Sequence, residues 1–140
     1  MSTTLNRETT NAISFFQAKL AYEIGPYGIF DAQKNKEPLR IIDLRTPEHF
    51  AKGHIPGAVN VQIDELANYA NQLKKDETVV VYCYNITCHL ATKAALLLAE
   101  RDIKVKELFG GYQEYANSGL AAEGSEQASS CSTAKGSSCA

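Results

Sequence analysis

A cysteine at the end of a buried strand is the residue of this sequence best placed to do chemistry. The run Thr78–Cys83 is apolar and β-branched, which predicts a strand buried on both faces, and a helical pattern begins at Leu90. A cysteine between a strand and a helix faces loop amides and the positive end of the helix dipole, and both stabilise a thiolate. We therefore predict that Cys83 has a lowered pKa and acts as a nucleophile. An inert, buried cysteine is the alternative.

The loop after Cys83 is the predicted substrate-binding segment. Ligands of open α/β sheets bind beyond the carboxyl ends of the strands. Backbone amides that precede a helix can hold an anion there, and we expect the amides of residues 84–88 to form such a cradle. The predicted substrate-binding loop consists of Tyr84, Asn85, Ile86, Thr87, Cys88 and His89.

A second cysteine follows the first at C-x4-C spacing. Cys88 could attack a persulfide or a sulfenic acid on Cys83 and form a disulfide. It could also be a small residue that packs the first turn of the helix, and we favour this packing role. Cys83, Cys88 and His89 do not predict a zinc site, because structural zinc needs four ligands and the domain has no second pair. We expect no metal and no cofactor.

Other polar residues near the predicted strands are expected to be structural. Asp43 and Arg45 follow a buried run, where a charge pair would fix the adjoining loop. His54 is expected to be a hydrogen-bonded loop histidine rather than a base. Gly110 and Gly111 predict a tight turn.

Alternating strand and helix patterns surround these residues. Besides the strand that ends at Cys83, the β-like runs are Leu39–Leu44, Ala58–Val61 and Val105–Phe109. The helix-like segments are Pro47–Lys52, Asp64–Leu73 and Leu90–Arg101. Leu20–Ile24 alternates like a strand but could also end a helix that begins near Thr10. Strands separated by helices of this length predict βαβ units, a parallel sheet and the α/β class.

Composition limits the domain organisation and the partners. The chain has 140 residues, 44% of them hydrophobic and 21% charged, which fits one globular domain. We predict a domain over residues 1–120, with a core at about 11–120, and a flexible tail over 121–140 that carries Cys131 and Cys139. The net charge of −2 and the lack of a long apolar run predict no nucleic-acid partner and no membrane partner. The polar start predicts a cytoplasmic protein.

Motifs in two parts of the sequence resemble the rhodanese family. The first half of the resemblance lies in Ile41–Arg45, Pro47–Phe50 and Gly53–Ala58, and the second in Val79–Cys83 and Leu108–Tyr112 with Tyr115 and Gly119. The resemblance covers about residues 20–120. It implies a rhodanese-like fold: a central, mostly parallel five-stranded sheet flanked by helices on both faces. It also implies that Cys83 is the single catalytic cysteine.

The function implied by this resemblance is sulfur transfer. The cysteine would take a sulfane sulfur from a small donor, thiosulfate or a low-molecular-weight persulfide, and hold it as a persulfide. It would then pass the sulfur to a thiol, a protein acceptor or cyanide, in a two-step covalent mechanism. The alternative is a non-catalytic rhodanese-fold module with a binding or regulatory role.

The loop departs from the common family pattern in two ways. Ile86 stands where many active rhodaneses have glycine, and no residue from Tyr84 to Cys88 is cationic. Dianionic thiosulfate would therefore be held weakly, and a less charged persulfide donor suits the loop better. Rhodanese-fold phosphatases have an arginine where this chain has His89, and an imidazole cannot replace the guanidinium fork that grips phosphate. We do not expect phosphatase activity.

Overall fold

Five parallel strands form the centre of the molecule. A computed structural model describes residues 6–125. The sheet has the order β1-β5-β4-β2-β3, and each neighbouring pair is parallel. Its strands are β1 (Glu23–Ile24), β2 (Leu39–Asp43), β3 (Val59–Asn60), β4 (Thr78–Tyr82) and β5 (Val105–Leu108). The five-stranded parallel sheet confirms the predicted fold class.

Within residues 6–125, four α-helices connect successive strands, one precedes the first strand and one follows the last. They are α1 (Arg7–Tyr22), α2 (Pro26–Lys34), α3 (Pro47–Lys52), α4 (Leu66–Tyr69), α5 (Leu90–Ala99) and α6 (Gly111–Asn117). The predicted helix over Asp64–Leu73 is instead α4 between two short 3₁₀ turns, Ile63–Glu65 and Ala70–Gln72. No helix in this part of the chain has the length and apolar character needed to cross a bilayer.

Helices cover both faces of the sheet, as predicted. Val79 and Val81 of β4 pack on one face against apolar residues of α4 and α5. Val80 and Tyr82 pack on the other face against residues of α2 and α6. All four side chains are fully buried, which explains the uninterrupted apolar run in this strand. The strand that leads to Cys83 is therefore held rigidly from both sides.

The first part of the domain agrees with the helical alternative for Leu20–Ile24 more than with the strand-like pattern. Leu20 and Tyr22 belong to the last turn of α1, and only Glu23 and Ile24 form a strand. The helix begins at Arg7, where the Asn6 side chain accepts the Thr9 N–H at 2.7 Å. No residue of α1 is buried, so an alternating pattern here does not report a half-buried strand.

Residues after Leu120 remain hydrogen bonded to the domain. The Tyr115 hydroxyl donates to the Ala121 carbonyl at 2.7 Å. His54 and Glu123 form an antiparallel bridge, with the His54 N–H donating to the Glu123 carbonyl at 2.7 Å. The contacts thus reach into the segment that the composition assigns to the tail. The remainder of the predicted tail, including Cys131 and Cys139, lies outside the described residues.

Candidate active site

Cys83 lies directly after β4, at the carboxyl edge of the sheet. Its side chain is 1% exposed and packs in the cluster beneath α5. Its carbonyl accepts the Tyr112 N–H at 2.9 Å, and the next carbonyl, of Tyr84, accepts the Gln113 N–H at 3.0 Å. These two bonds attach the start of the loop to α6. The position agrees with the expectation that the cysteine stands between a buried strand and a helix.

Gly111 allows α6 to approach the loop this closely. Its φ is +65°, and a Cβ at this position would lie 2.8 Å from the Asn85 nitrogen and 2.9 Å from the Cys83 carbonyl oxygen. Both contacts are with backbone atoms, which cannot move aside as a flexible side chain would. The glycine pair therefore does more than turn the chain, because it also shapes the loop that carries Cys83.

Asn85 closes the loop on itself. Its side-chain oxygen accepts the Thr87 N–H at 3.1 Å and the Thr87 hydroxyl at 2.8 Å. Its carbonyl accepts the Cys88 N–H at 3.1 Å. Two of the amides expected in the anion cradle are thus already engaged within the loop. The amides of Asn85, Ile86 and His89 make no hydrogen bond to other described residues.

Cys88 lies in contact with Cys83. The two Sγ atoms are 2.8 Å apart, and both cysteines are free. Burial raises the pKa of Cys83 to about 12, and the hydrogen bond with Cys88 adds to the increase. The prediction of a lowered pKa at Cys83 is therefore wrong. The thiol is too deeply buried for the loop amides and the helix dipole to outweigh desolvation.

The lowered pKa belongs to Cys88. Its own partial burial opposes ionisation, but hydrogen bonds from Cys83 and from the backbone N–H groups of Leu90 and Tyr84 outweigh that cost. The two thiols titrate as a coupled pair. The first proton leaves from Cys88, and Cys83 then donates its S–H to the resulting thiolate. At this edge of the sheet, ionisation is therefore favoured at the second cysteine rather than at the first.

A cavity of about 340 Å³ opens beside the two sulfurs. Besides the loop, its lining includes Lys19 of α1, Glu23 of β1 and Glu107 of β5. Lys19 Nζ lies 2.9 Å from Glu23 Oε1, and the Thr92 hydroxyl donates to Glu107 at 2.9 Å. These three charged lining residues therefore comprise one cation, Lys19, and two carboxylates, Glu23 and Glu107.

Sequence reasoning missed these three charged residues because no local motif surrounds them. Glu23 lies in the segment Leu20–Ile24, whose alternation suggested a strand, and Lys19 directly precedes that segment. Glu107 carried a usable signal, since parallel pairing of β5 with β4 places Glu107 opposite Val81, two residues before Cys83. Pairing the predicted strands would have located one wall of the cavity.

A second cavity, of about 580 Å³, lies between α1 and α5. Its lining includes Phe15, Tyr22 and Leu96 but neither cysteine nor histidine. Because this larger cavity has no cysteine, the smaller cavity at Cys83 and Cys88 is the candidate active site.

The other predicted loop residues take different positions. Asn85, Ile86 and His89 line the cavity with the two cysteines, and Ile86 is 64% exposed at its mouth. Tyr84 points elsewhere, since its hydroxyl accepts the N–H of Thr46 at 3.2 Å and its ring packs edge-on against His49. Thr87 is held by Asn85 and does not line the cavity.

Asp43 and Arg45 form a buried charge pair outside the cavity. The Arg45 guanidinium lies 2.7 Å from the Asp43 carboxylate and donates to the Gly53 carbonyl at 2.6 Å. It also lies 4.0 Å from the centre of the Tyr112 ring. These contacts fix the loop after β2, as predicted. His54 is likewise occupied, with Nδ1 at 2.7 Å from the Phe50 carbonyl oxygen.

Comparisons with known proteins identify the fold. A crystal structure of a protein from Bacillus halodurans matches with a TM-score of 0.75 and 28% identity, over 84% of this chain and 88% of that chain. A thiosulfate sulfurtransferase from Pseudomonas aeruginosa matches with a TM-score of 0.66 and 28% identity, over 76% of this chain and 20% of that chain.

A curated relative and a family match complete the comparison. An HTH-type transcriptional regulator of Mycobacterium tuberculosis is 36% identical over 80 residues, which is 57% of this chain and 35% of the regulator. The chain thus matches about a third of that relative's length. Residues 28–118 match the Rhodanese-like domain family. This chain belongs to the rhodanese-like domain family.

Proposed function

We propose that this protein is a sulfurtransferase that carries a sulfane sulfur as a persulfide on Cys83. The observation that carries the proposal is the contact of 2.8 Å between the Cys83 and Cys88 sulfurs, beside a cavity at the carboxyl edge of the sheet. A nucleophile needs a base within hydrogen-bond reach, and a Cys88 thiolate supplies one. Membership of the rhodanese-like family and similarity to a thiosulfate sulfurtransferase support sulfur as the transferred atom.

Cys88 acts first as the proton acceptor. As Cys83 attacks the donor, its proton moves to the Cys88 thiolate, so the pair keeps a single negative charge throughout. With a persulfide donor R–S–SH, the Cys83 sulfur bonds to the outer sulfur, the donor S–S bond breaks, and R–S⁻ takes the proton of the outer sulfur and leaves as R–SH. An acceptor thiolate then attacks the outer sulfur of the Cys83 persulfide and removes it, which regenerates Cys83.

The charges of the cavity favour a persulfide over thiosulfate as the donor. Lys19 is neutralised by Glu23, Glu107 adds a second carboxylate, and the first proton to leave the cysteine pair gives a further anion. A dianion entering this site meets repulsion without an arginine or lysine in the loop to offset it. A low-molecular-weight persulfide carries less charge, and a thiol or a protein thiol is the matching acceptor.

A non-catalytic regulatory module is the second candidate. The similarity to a transcriptional regulator favours it, because a rhodanese-like domain in such a protein need not turn over a substrate. Ile86 at the mouth of the loop and the high pKa of Cys83 also fit a domain without turnover. Under this candidate, neither cysteine takes up sulfur from a donor.

Mass spectrometry after exposure to a donor separates the two candidates. The test uses the full chain with Cys131→Ser and Cys139→Ser, which lacks the two cysteines outside the described residues. Cys88→Ser in that background also prevents a disulfide between Cys83 and Cys88. We expect glutathione persulfide at pH 9 to add about 32 Da, one sulfur, to Cys83 of the Cys88→Ser protein. The matched Cys83→Ser protein should gain no sulfur at residue 83. An unmodified Cys83 in the Cys88→Ser protein would favour the regulatory module.

A further inference from the structure

We propose that Cys88 also resolves the persulfide on Cys83, so that the bound sulfur leaves as hydrosulfide and the two cysteines form a disulfide. This inference rests on the proposed function, because it requires a persulfide on Cys83. It adds a second activity to the site, the reduction of a sulfane sulfur to sulfide. It also replaces the packing role that the sequence suggested for Cys88.

The positions of the two sulfurs suit this reaction. The Sγ–Sγ distance of 2.8 Å exceeds the ~2.05 Å of a disulfide bond by only about 0.8 Å. Both cysteines lie between β4, which ends at Tyr82, and α5, which begins at Leu90. A small movement of the loop can therefore close the bond without breaking a strand or a helix.

A packing role explains the position of Cys88 less well. The side chain packs against the apolar cluster beneath α5, but it is only partly buried and also lines the cavity, so packing does not account for all of its surroundings. Its N–H is held by the Asn85 carbonyl, which fixes the turn that brings Cys88 back over Cys83. The loop thus directs a partly exposed thiol at the buried one.

The ionisation order gives each cysteine a role. Cys88 is the partly exposed thiol in contact with Cys83 and the one with the lowered pKa, so it supplies the attacking thiolate of the pair. Cys83 has the raised pKa and holds its proton until a donor arrives. Once Cys83 carries the outer sulfur, its own Sγ is an electrophile in contact with that thiolate.

Proton and electron transfer balance within the pair. The Cys88 thiol, which received a proton when Cys83 reacted, passes that proton to the outer sulfur of the persulfide anion. The Cys88 thiolate then attacks Cys83 Sγ, the Cys83–Cys88 bond forms, and the bond to the outer sulfur breaks with its electron pair, so that HS⁻ leaves. The outer sulfur is reduced and the two cysteine sulfurs are oxidised. A dithiol reductant restores both thiols by thiol–disulfide exchange.

Two fates of the persulfide then compete. An external acceptor must diffuse into the cavity and attack the outer sulfur, whereas Cys88 is already placed at the inner sulfur. Holding the reacting groups together gives an intramolecular step a large advantage over a bimolecular one. At low acceptor concentration the site should therefore release sulfide rather than transfer sulfur.

A single-turnover experiment tests this resolving role. The reduced chain with Cys131→Ser and Cys139→Ser receives one equivalent of glutathione persulfide without reductant, beside matched proteins that also carry Cys88→Ser, Cys88→Ala or Cys83→Ser. Hydrosulfide is measured by colour reaction, and chymotryptic peptides are weighed. Cleavage after Tyr84 separates Cys83 from Cys88 unless a disulfide joins them.

We expect the protein with both cysteines to release about one equivalent of hydrosulfide and to yield the disulfide-linked peptide. The two Cys88 variants should release at least about tenfold less and retain the added sulfur on Cys83. A stable persulfide in the protein with both cysteines, without the linked peptide, would refute the resolving role and leave the proposed function intact. Absence of both added sulfur and hydrosulfide release in all of the proteins would refute the proposed function as well.

Discussion

Iodoacetamide should alkylate Cys88 before Cys83. The reagent reacts with thiolates, and the ordinary cysteine pKa of ~8.5 leaves about 3% thiolate at pH 7. A pKa of about 12 leaves Cys83 ionised about 3,000-fold less than that. A more basic thiolate is intrinsically more nucleophilic, which recovers about 25- to 55-fold. Relative to a thiol of ordinary pKa, the net disadvantage of Cys83 is therefore about 55- to 120-fold. The lowered pKa of Cys88 and the 1% exposure of Cys83 both increase the preference for Cys88.

The assay follows labelling over time at several pH values in the chain with Cys131→Ser and Cys139→Ser. Chymotryptic peptides locate the label, since cleavage after Tyr84 separates the two cysteines. In the Cys88→Ser variant, Cys83 loses the part of its pKa increase that Cys88 causes and keeps the larger part that burial causes. Its labelling should rise with pH above the ordinary cysteine pKa. Faster labelling of Cys83 than of Cys88 at pH 7 would refute the ionisation order.

Three further predictions concern the loop and its supports. Ile86→Arg should lower the KM for thiosulfate by about tenfold relative to Ile86→Met. A charge-assisted hydrogen bond contributes ~1.5–3 kcal/mol, and the exposure of this position favours the lower value. Equal KM values would contradict the argument that a missing cation limits thiosulfate binding. Arg45→Met should reduce the free energy of unfolding in urea by about 3–5 kcal/mol, because it leaves the Asp43 carboxylate buried without its charge partner. Lys19→Met removes an exposed ion pair and should reduce the same free energy by less than about 1 kcal/mol. Similar reductions for the two variants would refute the structural role of the buried pair. Gly111→Ala should lower the rate of sulfur transfer by a larger factor than it lowers the folding equilibrium constant, because its Cβ displaces the backbone after Cys83. An unchanged rate of sulfur transfer would show that the close approach of Gly111 does not shape the loop.

Much of the fold follows from patterns in the sequence. The uninterrupted apolar run of β4 predicts a strand covered on both faces, and Val79 to Tyr82 are buried there. The segment Leu20–Ile24 shows the limit of periodicity, because a surface helix with no buried residue leaves no pattern that distinguishes it from a strand. The helices α2 and α6 were not predicted, since the glycines near their starts weaken a helical pattern.

The position of Cys83 at the end of a strand was predicted from the sequence, but the pKa order of the two cysteines was not. The strand-end position of Cys83 is readable from the residues around it, and so is the charge pair of Asp43 and Arg45. The pKa order of the two cysteines is not readable, because it depends on the 1% exposure of Cys83 and on the 2.8 Å contact with Cys88. The carboxylate of Glu107 reaches the cavity from another strand, and spacing along the chain does not encode that approach.

Transfer from the isolated, sulfur-loaded protein tests the central claim most directly. The Cys88→Ser protein in the Cys131→Ser, Cys139→Ser background is loaded with glutathione persulfide, freed of donor on a desalting column and mixed with cyanide. Cyanide removes an outer sulfur as thiocyanate, so a persulfide on Cys83 predicts about one equivalent of thiocyanate per loaded protein and loss of the added sulfur from that cysteine. Sulfur that stays on Cys83 after cyanide treatment, or thiocyanate formed while the mass of Cys83 does not change, would contradict its role as the carrier.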